Sequence, residues 1–202
     1  PSSLLPVGED DQVIENQTLR MIVHSSVGGD SVRLRLANYH GNQPIQIGTV
    51  SIALQAQGDS IQPGSSKDVK FSGAQSVTIP RGAVILSDPV SFSVPELSNL
   101  AVSLYLPNSS GFLTNHALSN QTNYISEVGD HSSSSNLPIA SESPAWNLLT
   151  AIDVINDNHN WCSGIYLGAP WNIEYEANVE IINSDIIDGY ATGLRIEYGG
   201  WG

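Results

Sequence analysis

The sequence predicts an all-β fold, a single antiparallel β-sandwich domain of jelly-roll type that spans residues 1–202. Short β-like runs start near Thr18 and recur at intervals of roughly 8 to 12 residues, which is the spacing typical of all-β domains. Gly, Pro and Asn separate the runs and supply the backbone angles that tight turns need. The length of 202 residues also suits one sandwich, so we expect one core between two packed sheets.

Alternation of apolar and polar residues identifies the strands. In residues 31–37, Val32, Leu34 and Leu36 alternate with two arginines. Successive strand residues point to opposite faces, so the apolar side chains should face the core and the arginines should face outward. The other expected strands cover residues 19–24, 45–55, 69–71, 76–79, 84–86, 90–94, 100–106, 172–182 and 194–198, and residues 145–155 suit either a strand or a short helix.

Two segments depart from this pattern. Residues 1–15 include three consecutive acidic residues and are expected to form an extended N-terminal segment. Residues 113–142 hold few apolar residues and a run of four serines, so we expect a loop-rich flank there. Such loops either form a rim that faces a ligand or stay solvated without a binding role, and the sequence leaves both alternatives open.

The charge balance limits the classes of partner. Lys and Arg number 7 against 20 Asp and Glu, which gives a formal net charge of −13. A nucleic-acid backbone or an anionic membrane would be repelled over most of such a surface, so we exclude both. Only 13% of the residues are charged, and hydroxyl and amide side chains supply most of the polar surface. Neutral sugars, cations and basic proteins remain as candidate partners, and homo-oligomer formation stays open.

Several features favour a secreted, extracellular protein. No apolar run approaches the roughly 18 residues of a membrane span, and the chain begins at Pro1, as expected of a mature product whose leader has been removed. Three glycosylation sequons start at Asn16, Asn108 and Asn120. The single Cys162 cannot form an internal disulfide, so it is either a buried apolar residue or a free thiol.

Several segments resemble a known domain in order and spacing. Residues 17–41 read QTLRMIVHSSVGGDSVRLRLANYHG, residues 77–90 read VTIPRGAVILSDPV, and residues 99–107 read NLAVSLYLP; residues 44–54 and the GDH of residues 129–131 fit the same order. Together, over residues 12–153, they resemble the non-catalytic β-sandwich domain that precedes the catalytic domain in many secreted SGNH (GDSL-type) esterases. The resemblance implies a β-sandwich and says nothing by itself about catalysis.

The catalytic residues of those esterases have no counterpart here. Their sandwich leads into a Gly-Asp-Ser-Ile-Thr-Asp-Gly-like turn, and the nearest segment here is NSDIIDGY at residues 183–190. Aligned in this way, Asp185 stands at the nucleophile position, where an ionised carboxylate is a poor acyl acceptor. No His follows His159, so the family's Asp-x-x-His is missing as well. We therefore expect a protein that is not an enzyme. The alternative is an accessory domain or fragment of a secreted esterase that acts on acylated carbohydrate.

Amide and aromatic residues concentrate in NDNHNWCSGIY at residues 156–166 and in the segment that follows. Amides hydrogen-bond to sugar hydroxyls, while aromatic rings stack on the apolar face of a sugar. This composition predicts a lectin-like site for glycans or glycoproteins, although the same aromatics could simply pack in a core. The predicted ligand-binding residues are Asp157, Asn158, His159, Asn160, Trp161, Tyr166 and Trp171.

A calcium ion is the cofactor that the sequence favours. Ca²⁺ takes six to eight oxygen ligands, and the candidate ligands are Asp153, Asp157, Asp185 and Asp188. The alternative is that these acids are solvated residues of an acidic protein. A transition-metal site is disfavoured because no two histidines have metal-motif spacing. An acid/base role for the adjacent Asp130 and His131 is disfavoured because neighbouring side chains of an extended segment point apart.

Overall fold

The computed structural model describes residues 13–156 and the backbone of residues 163–164. These residues form β-strands and no helix, which confirms the all-β prediction. No helix in this part of the chain could cross a membrane. The strands are β1 (Gln17–Ser25), β2 (Gly29–Ala37), β3 (Ile45–Ile47), β4 (Val50–Gln57), β5 (Ser60–Ile61), β6 (Lys67–Val69), β7 (Val77–Ile79), β8 (Val84–Leu86), β9 (Val90–Val94), β10 (Ser98–Leu106), β11 (Asn115–His116), β12 (Asn123–Val128), β13 (Ile139–Ser143), β14 (Trp146–Asn147), β15 (Leu149–Ile155) and β16 (Ser163–Gly164).

The strands form two main antiparallel sheets. The large sheet has the order β13-β12-β1-β10-β4-β5, and β6 also pairs with β4. The small sheet has the order β16-β15-β2-β8, and β9 also pairs with β2. Two short ladders, β3 with β7 and β11 with β14, complete the described topology. Because β1 and β2 follow each other in the chain but lie in different sheets, the chain crosses between the sheets at this connection.

The core lies between the two sheets. The inward residues of β1 and β2 alternate as the sequence predicts, and each of them is at most 1% exposed. Each such side chain contributes about 1.5–3 kcal/mol by leaving water. The same apolar cluster includes inward residues of β4, β10 and β15. Its members on β1 and β2 are Leu19, Met21, Val23, Val32, Leu34 and Leu36.

The outer face of the large sheet is also covered over most of its length. Thr18, Arg20 and Ile22 point away from the core on β1, yet each is 0% exposed. Residues 129–138, which we name the strap, lie over this face. Leu137 of the strap packs in a second apolar cluster with Ile22, Ala53, Ile61, Ala101 and Tyr124. The large sheet is therefore sandwiched between the core and the strap.

The guanidinium of Arg20 fastens the strap to the sheet. It donates to the backbone oxygens of Ser134 at 2.8 Å and His131 at 3.4 Å in the strap. It also donates to the Ser103 hydroxyl at 2.9 Å and to the backbone oxygen of Asp59 at 2.7 Å. Burial lowers the pKa of Arg20, and the negative charge of Asp59 opposes that effect. This buried cation is thus solvated by neutral oxygens that replace water.

The flank at residues 113–142 is more regular than the sequence predicts, because it contains β11, β12 and the start of β13. Polar residues of β12 are buried there as hydrogen-bond partners of β1. The Asn123 side chain accepts from the Ile22 amide at 2.9 Å, and the Ser126 hydroxyl accepts from the Thr18 amide at 2.8 Å. Hydrophobic patterning misses such a strand because two of its four buried residues are polar. Residues 145–155, which the sequence left open, form the strands β14 and β15.

We predict that Arg20→Ala destabilises the protein by about 3 kcal/mol or more, because it leaves three part-buried carbonyls and the buried Ser103 hydroxyl without this donor and opens a void under the strap. Urea unfolding followed by intrinsic fluorescence measures the change. Arg33→Ala is the matched control, since half-buried Arg33 donates to a single carbonyl, that of Ser87, within the described structure; it should cost less than about 1 kcal/mol. Equal losses in the two variants would contradict the role assigned to Arg20.

Candidate functional site

All seven residues of the predicted sugar site lie outside the described part of the chain. These residues are Asp157, Asn158, His159, Asn160, Trp161, Tyr166 and Trp171. The strands before and after residues 157–161 are β15 and β16. They pair antiparallel, with Asp153 opposite Gly164 and Val154 opposite Ser163. The lectin-like site that the sequence suggests therefore remains a prediction.

One predicted calcium ligand, Asp153, lies in the described structure. Its two carboxylate oxygens accept from Nε of Arg35 at 3.0 and 3.2 Å, on the outer face of the small sheet. A cation at Asp153 would have to compete with this guanidinium. The described residues contain no group of three or more His, Cys, Asp or Glu side chains that could hold a metal ion. Asp157, Asp185 and Asp188 lie outside these residues, so calcium binding stays a prediction.

Asp130 and His131 have separate structural partners in the strap. Oδ1 of Asp130 accepts from the amide of Ser132 at 3.0 Å and from its hydroxyl at 2.6 Å. Nε2 of His131 lies 3.3 Å from the backbone oxygen of Val128. Burial acts to raise the pKa of Asp130, but hydrogen bonds from Ser132 and Thr49 and the nearby His131 outweigh it, so the pKa is lowered. These contacts give Asp130 a role in shaping the strap.

A groove of about 420 Å³ opens at the end of the large sheet that the strap leaves uncovered. Here β1 ends, β4 ends and β10 begins, so their outer-face residues meet in one row. His24 lies opposite Asn99 in the β1–β10 register. We name this space the end groove; its lining residues are His24, Leu54, Gln55, Ala56, Gln62, Pro95, Leu97, Ser98 and Asn99.

A directed chain of hydrogen bonds forms the floor of the end groove. Nε2 of Gln55 donates to the Gly58 carbonyl at 2.7 Å, which leaves Oε1 of Gln55 as an acceptor. Nδ2 of Asn99 donates to that oxygen at 2.8 Å, so Oδ1 of Asn99 is an acceptor in turn. His24 must then donate from Nδ1, which lies 2.8 Å from Oδ1 of Asn99. With Nδ1 as the donor, the other ring nitrogen of this tautomer, Nε2, is an acceptor, and no residue in the described part of the chain bonds to it.

Leu97 supplies an apolar wall beside this polar floor. It is 73% exposed, an unusual position for a leucine. Its φ of 52° also lies in the left-handed region, which costs a bulky residue roughly 1–2 kcal/mol. Strain of this kind is concentrated at functional sites, where the surrounding structure holds it in place. Pro95, two residues earlier, precedes this turn and also lines the groove.

Among the described residues, the groove lining contains no Asp, Glu, Lys or Arg. A neutral surface of imidazole and amide groups next to apolar side chains matches a neutral ligand with many hydroxyls better than it matches an ion. Sequence reasoning missed this site because its residues come from four separate segments. The available signal was a histidine, His24, at the end of a largely apolar strand; the strand pairing places it beside the amides of Asn99 and Gln55.

We predict that Asp130→Asn lowers stability at neutral pH and flattens its dependence on acid. Because the pKa of Asp130 is lowered on folding, its stabilising contribution is present above the unfolded pKa and disappears as the pH falls through the lower folded value. Urea midpoints from neutral pH down to about pH 3 measure this effect. The two proteins should converge in acid. Asp68→Asn, at an exposed carboxylate of β6, controls for net charge; a gap that persists in acid would refute the prediction.

A scan against protein-family models gives no match for this chain, and a search of curated proteins gives no significant match.

Proposed function

We propose that this chain is an extracellular, non-catalytic carbohydrate-binding protein that takes a neutral saccharide in the end groove. The observation that carries the proposal is the row of His24, Asn99 and Gln55, whose hydrogen bonds fix the direction of every donor and acceptor. The ligand class is neutral glycans or glycoproteins. This lectin-like role is consistent with the acidic charge of the chain, which disfavours anionic partners.

The free hydrogen-bonding capacity of the row suits sugar hydroxyls. Each hydroxyl both donates and accepts. Nε2 of His24 offers an acceptor, and the amide nitrogens of Asn99 and Gln55 each retain a second hydrogen. A pair of adjacent hydroxyls can therefore donate to the imidazole and accept from an amide at the same time. Because the groups are already fixed by one another, binding costs little additional ordering entropy.

The apolar wall of the groove is complementary to the apolar C–H face of a sugar ring. One face of a pyranose ring exposes mainly C–H groups, which gain free energy by leaving water. Leu97 and Pro95 present apolar surface beside the polar row, so a ring can place hydroxyls on the floor and C–H groups on the wall. A leucine side chain gives dispersion and area burial rather than aromatic stacking, so we expect modest affinity for a single sugar residue.

The predicted residues between Asp157 and Trp171 and the predicted calcium ion form a second part of the proposal. Their amide and aromatic composition supports a second contact region, and glycan binding with and without a chelator tests whether calcium contributes. If the end groove binds sugar without calcium, the chelator should leave the glycan affinity unchanged. Loss of all binding on chelation would instead assign recognition to a calcium-dependent site.

The binding test uses a glycan array followed by calorimetry on protein from a host that does not glycosylate. We expect neutral sugars to bind. Asn99→Ala should weaken binding at least tenfold, because Oε1 of Gln55 and Nδ1 of His24 lose the side chain that holds them in place. Ser60→Ala is the control, since its hydroxyl bonds Asn136 away from the groove. Silence across neutral sugars at millimolar concentration would refute the proposal.

Leu97→Asn separates binding from stability. Asn tolerates the left-handed region far better than Leu, so the variant should be as stable as the parent or up to about 1 kcal/mol more stable. It should nevertheless bind sugar more weakly, because the apolar wall is lost. Leu118→Asn is the matched control: Leu118 is 66% exposed, and its φ is not among the positive values. That control should gain no stability and keep full binding, as measured by urea unfolding and calorimetry.

The sequence resemblance favours a second candidate function, an accessory domain of a secreted SGNH esterase that acts on acylated carbohydrate. The resembling segments at residues 17–41, 77–90 and 99–107 support it. The intact mass of the natural protein, together with its transcript, decides between the two. A longer chain with a downstream Asp-x-x-His would favour the esterase, and its sandwich could still hold the carbohydrate part of the substrate.

A further inference from the structure

The three glycosylation sequons occupy different structural environments. N-glycosylation needs an asparagine side-chain nitrogen that reaches solvent and space for a large polar glycan. The hydroxyl residue two positions later is part of the recognised motif. We therefore compare the sequons that start at Asn16, Asn108 and Asn120 by two properties. These are whether the asparagine side chain is hydrogen-bonded and whether the hydroxyl side chain two residues later is hydrogen-bonded.

The first sequon is built into the strap anchorage. Oδ1 of Asn16 accepts from the Tyr105 hydroxyl at 2.7 Å, and the Asn16 carbonyl accepts from the amide of Gly129. Thr18 is 0% exposed, and its hydroxyl both donates to the Gly129 carbonyl at 3.1 Å and accepts from the His131 amide at 2.9 Å. A glycan attached here would stand where the strap meets β1.

The second sequon has an exposed asparagine but a buried hydroxyl. Nδ2 of Asn108 donates to Oε1 of Gln46 at 2.7 Å. Ser110 is 0% exposed, and its hydroxyl accepts from the Ile14 amide at 3.1 Å and donates to the Gly111 carbonyl at 2.9 Å. This hydroxyl therefore holds the start of the described chain against the sheet.

The third sequon has both of its essential side chains free. Asn120 and Thr122 are exposed, and neither side chain has a hydrogen-bond partner among the described residues. The residues on either side stabilise the turn instead. Nδ2 of Asn123 donates to the Ser119 hydroxyl at 2.9 Å and to the Gln121 carbonyl at 3.3 Å. The φ of 55° at Asn120 is one that asparagine adopts more readily than most residues.

We infer that Asn120 is the one N-glycan attachment site, among the three sequons, that the folded protein carries. This inference rests on the proposed extracellular destination but not on the ligand of the end groove. In the transfer, the Asn120 amide nitrogen loses a proton and bonds to the anomeric carbon of a lipid-diphosphate-linked oligosaccharide. The bond from that carbon to the phosphate oxygen breaks, and the lipid diphosphate leaves.

The test is secretion of the chain from a eukaryotic host behind a cleaved leader, followed by intact-mass analysis and peptide mapping. We expect one glycan per folded chain, at Asn120. Thr122→Ala should abolish it, and Thr122→Ser should retain it because serine preserves the sequon. Both changes lie at an exposed side chain, so neither should alter the urea midpoint of the unglycosylated protein.

Other occupancies would overturn the inference. A folded, secreted chain with an unmodified Asn120, or with a glycan at Asn16 or Asn108, contradicts it. If secretion is too low to measure, translation into microsomes reports the same site occupancy through the Thr122 pair. Sugar binding is measured on unglycosylated protein, so a failure of the carbohydrate proposal and a failure of the glycan-site inference give separate results.

Discussion

The rest of the large sheet depends on one constraint, the burial of a permanent positive charge at Arg20. A guanidinium cannot lose its charge in a protein, so its donors must find acceptors wherever it is buried. Here the acceptors are one hydroxyl and three backbone carbonyls, two of them in the strap. Carbonyls are available only if the strap follows one particular path. The buried charge therefore specifies the course of a segment that has few apolar residues to hold it.

This course decides which part of the sheet remains open to ligands. The strap covers the outer-face rows that contain Arg20 and Ile22 and stops before the row that contains His24. The uncovered row can be polar because water reaches it. Its side chains hydrogen-bond to one another, His24 to Asn99 and Asn99 to Gln55, and not to the strap. The end groove is thus a consequence of where the strap ends, and its neutral character follows from amide and imidazole side chains at three strand ends.

The regular core could be predicted from the sequence because it obeys a period of two. The alternation of Val32, Leu34 and Leu36 fixes one face of β2, and the same rule identifies most of the longer strands. β12 could not be predicted, since Asn123 and Ser126 are buried to satisfy β1 and look like loop residues. The end groove was also beyond single-sequence reasoning. Its row joins residues of β1, β4 and β10 that only the strand register brings together.

The anchorage of Arg20 has a consequence for how the chain folds. Its four acceptors lie 39 to 114 residues away along the sequence. Contacts of such long range carry a large loop-closure entropy and are typical of slowly folding proteins. Without the strap, Ile22, Ala53 and Ala101 would form an apolar surface open to water and to other chains. By covering this apolar face, the strap removes from the surface a patch of the kind that promotes association between chains, in addition to shaping the sheet.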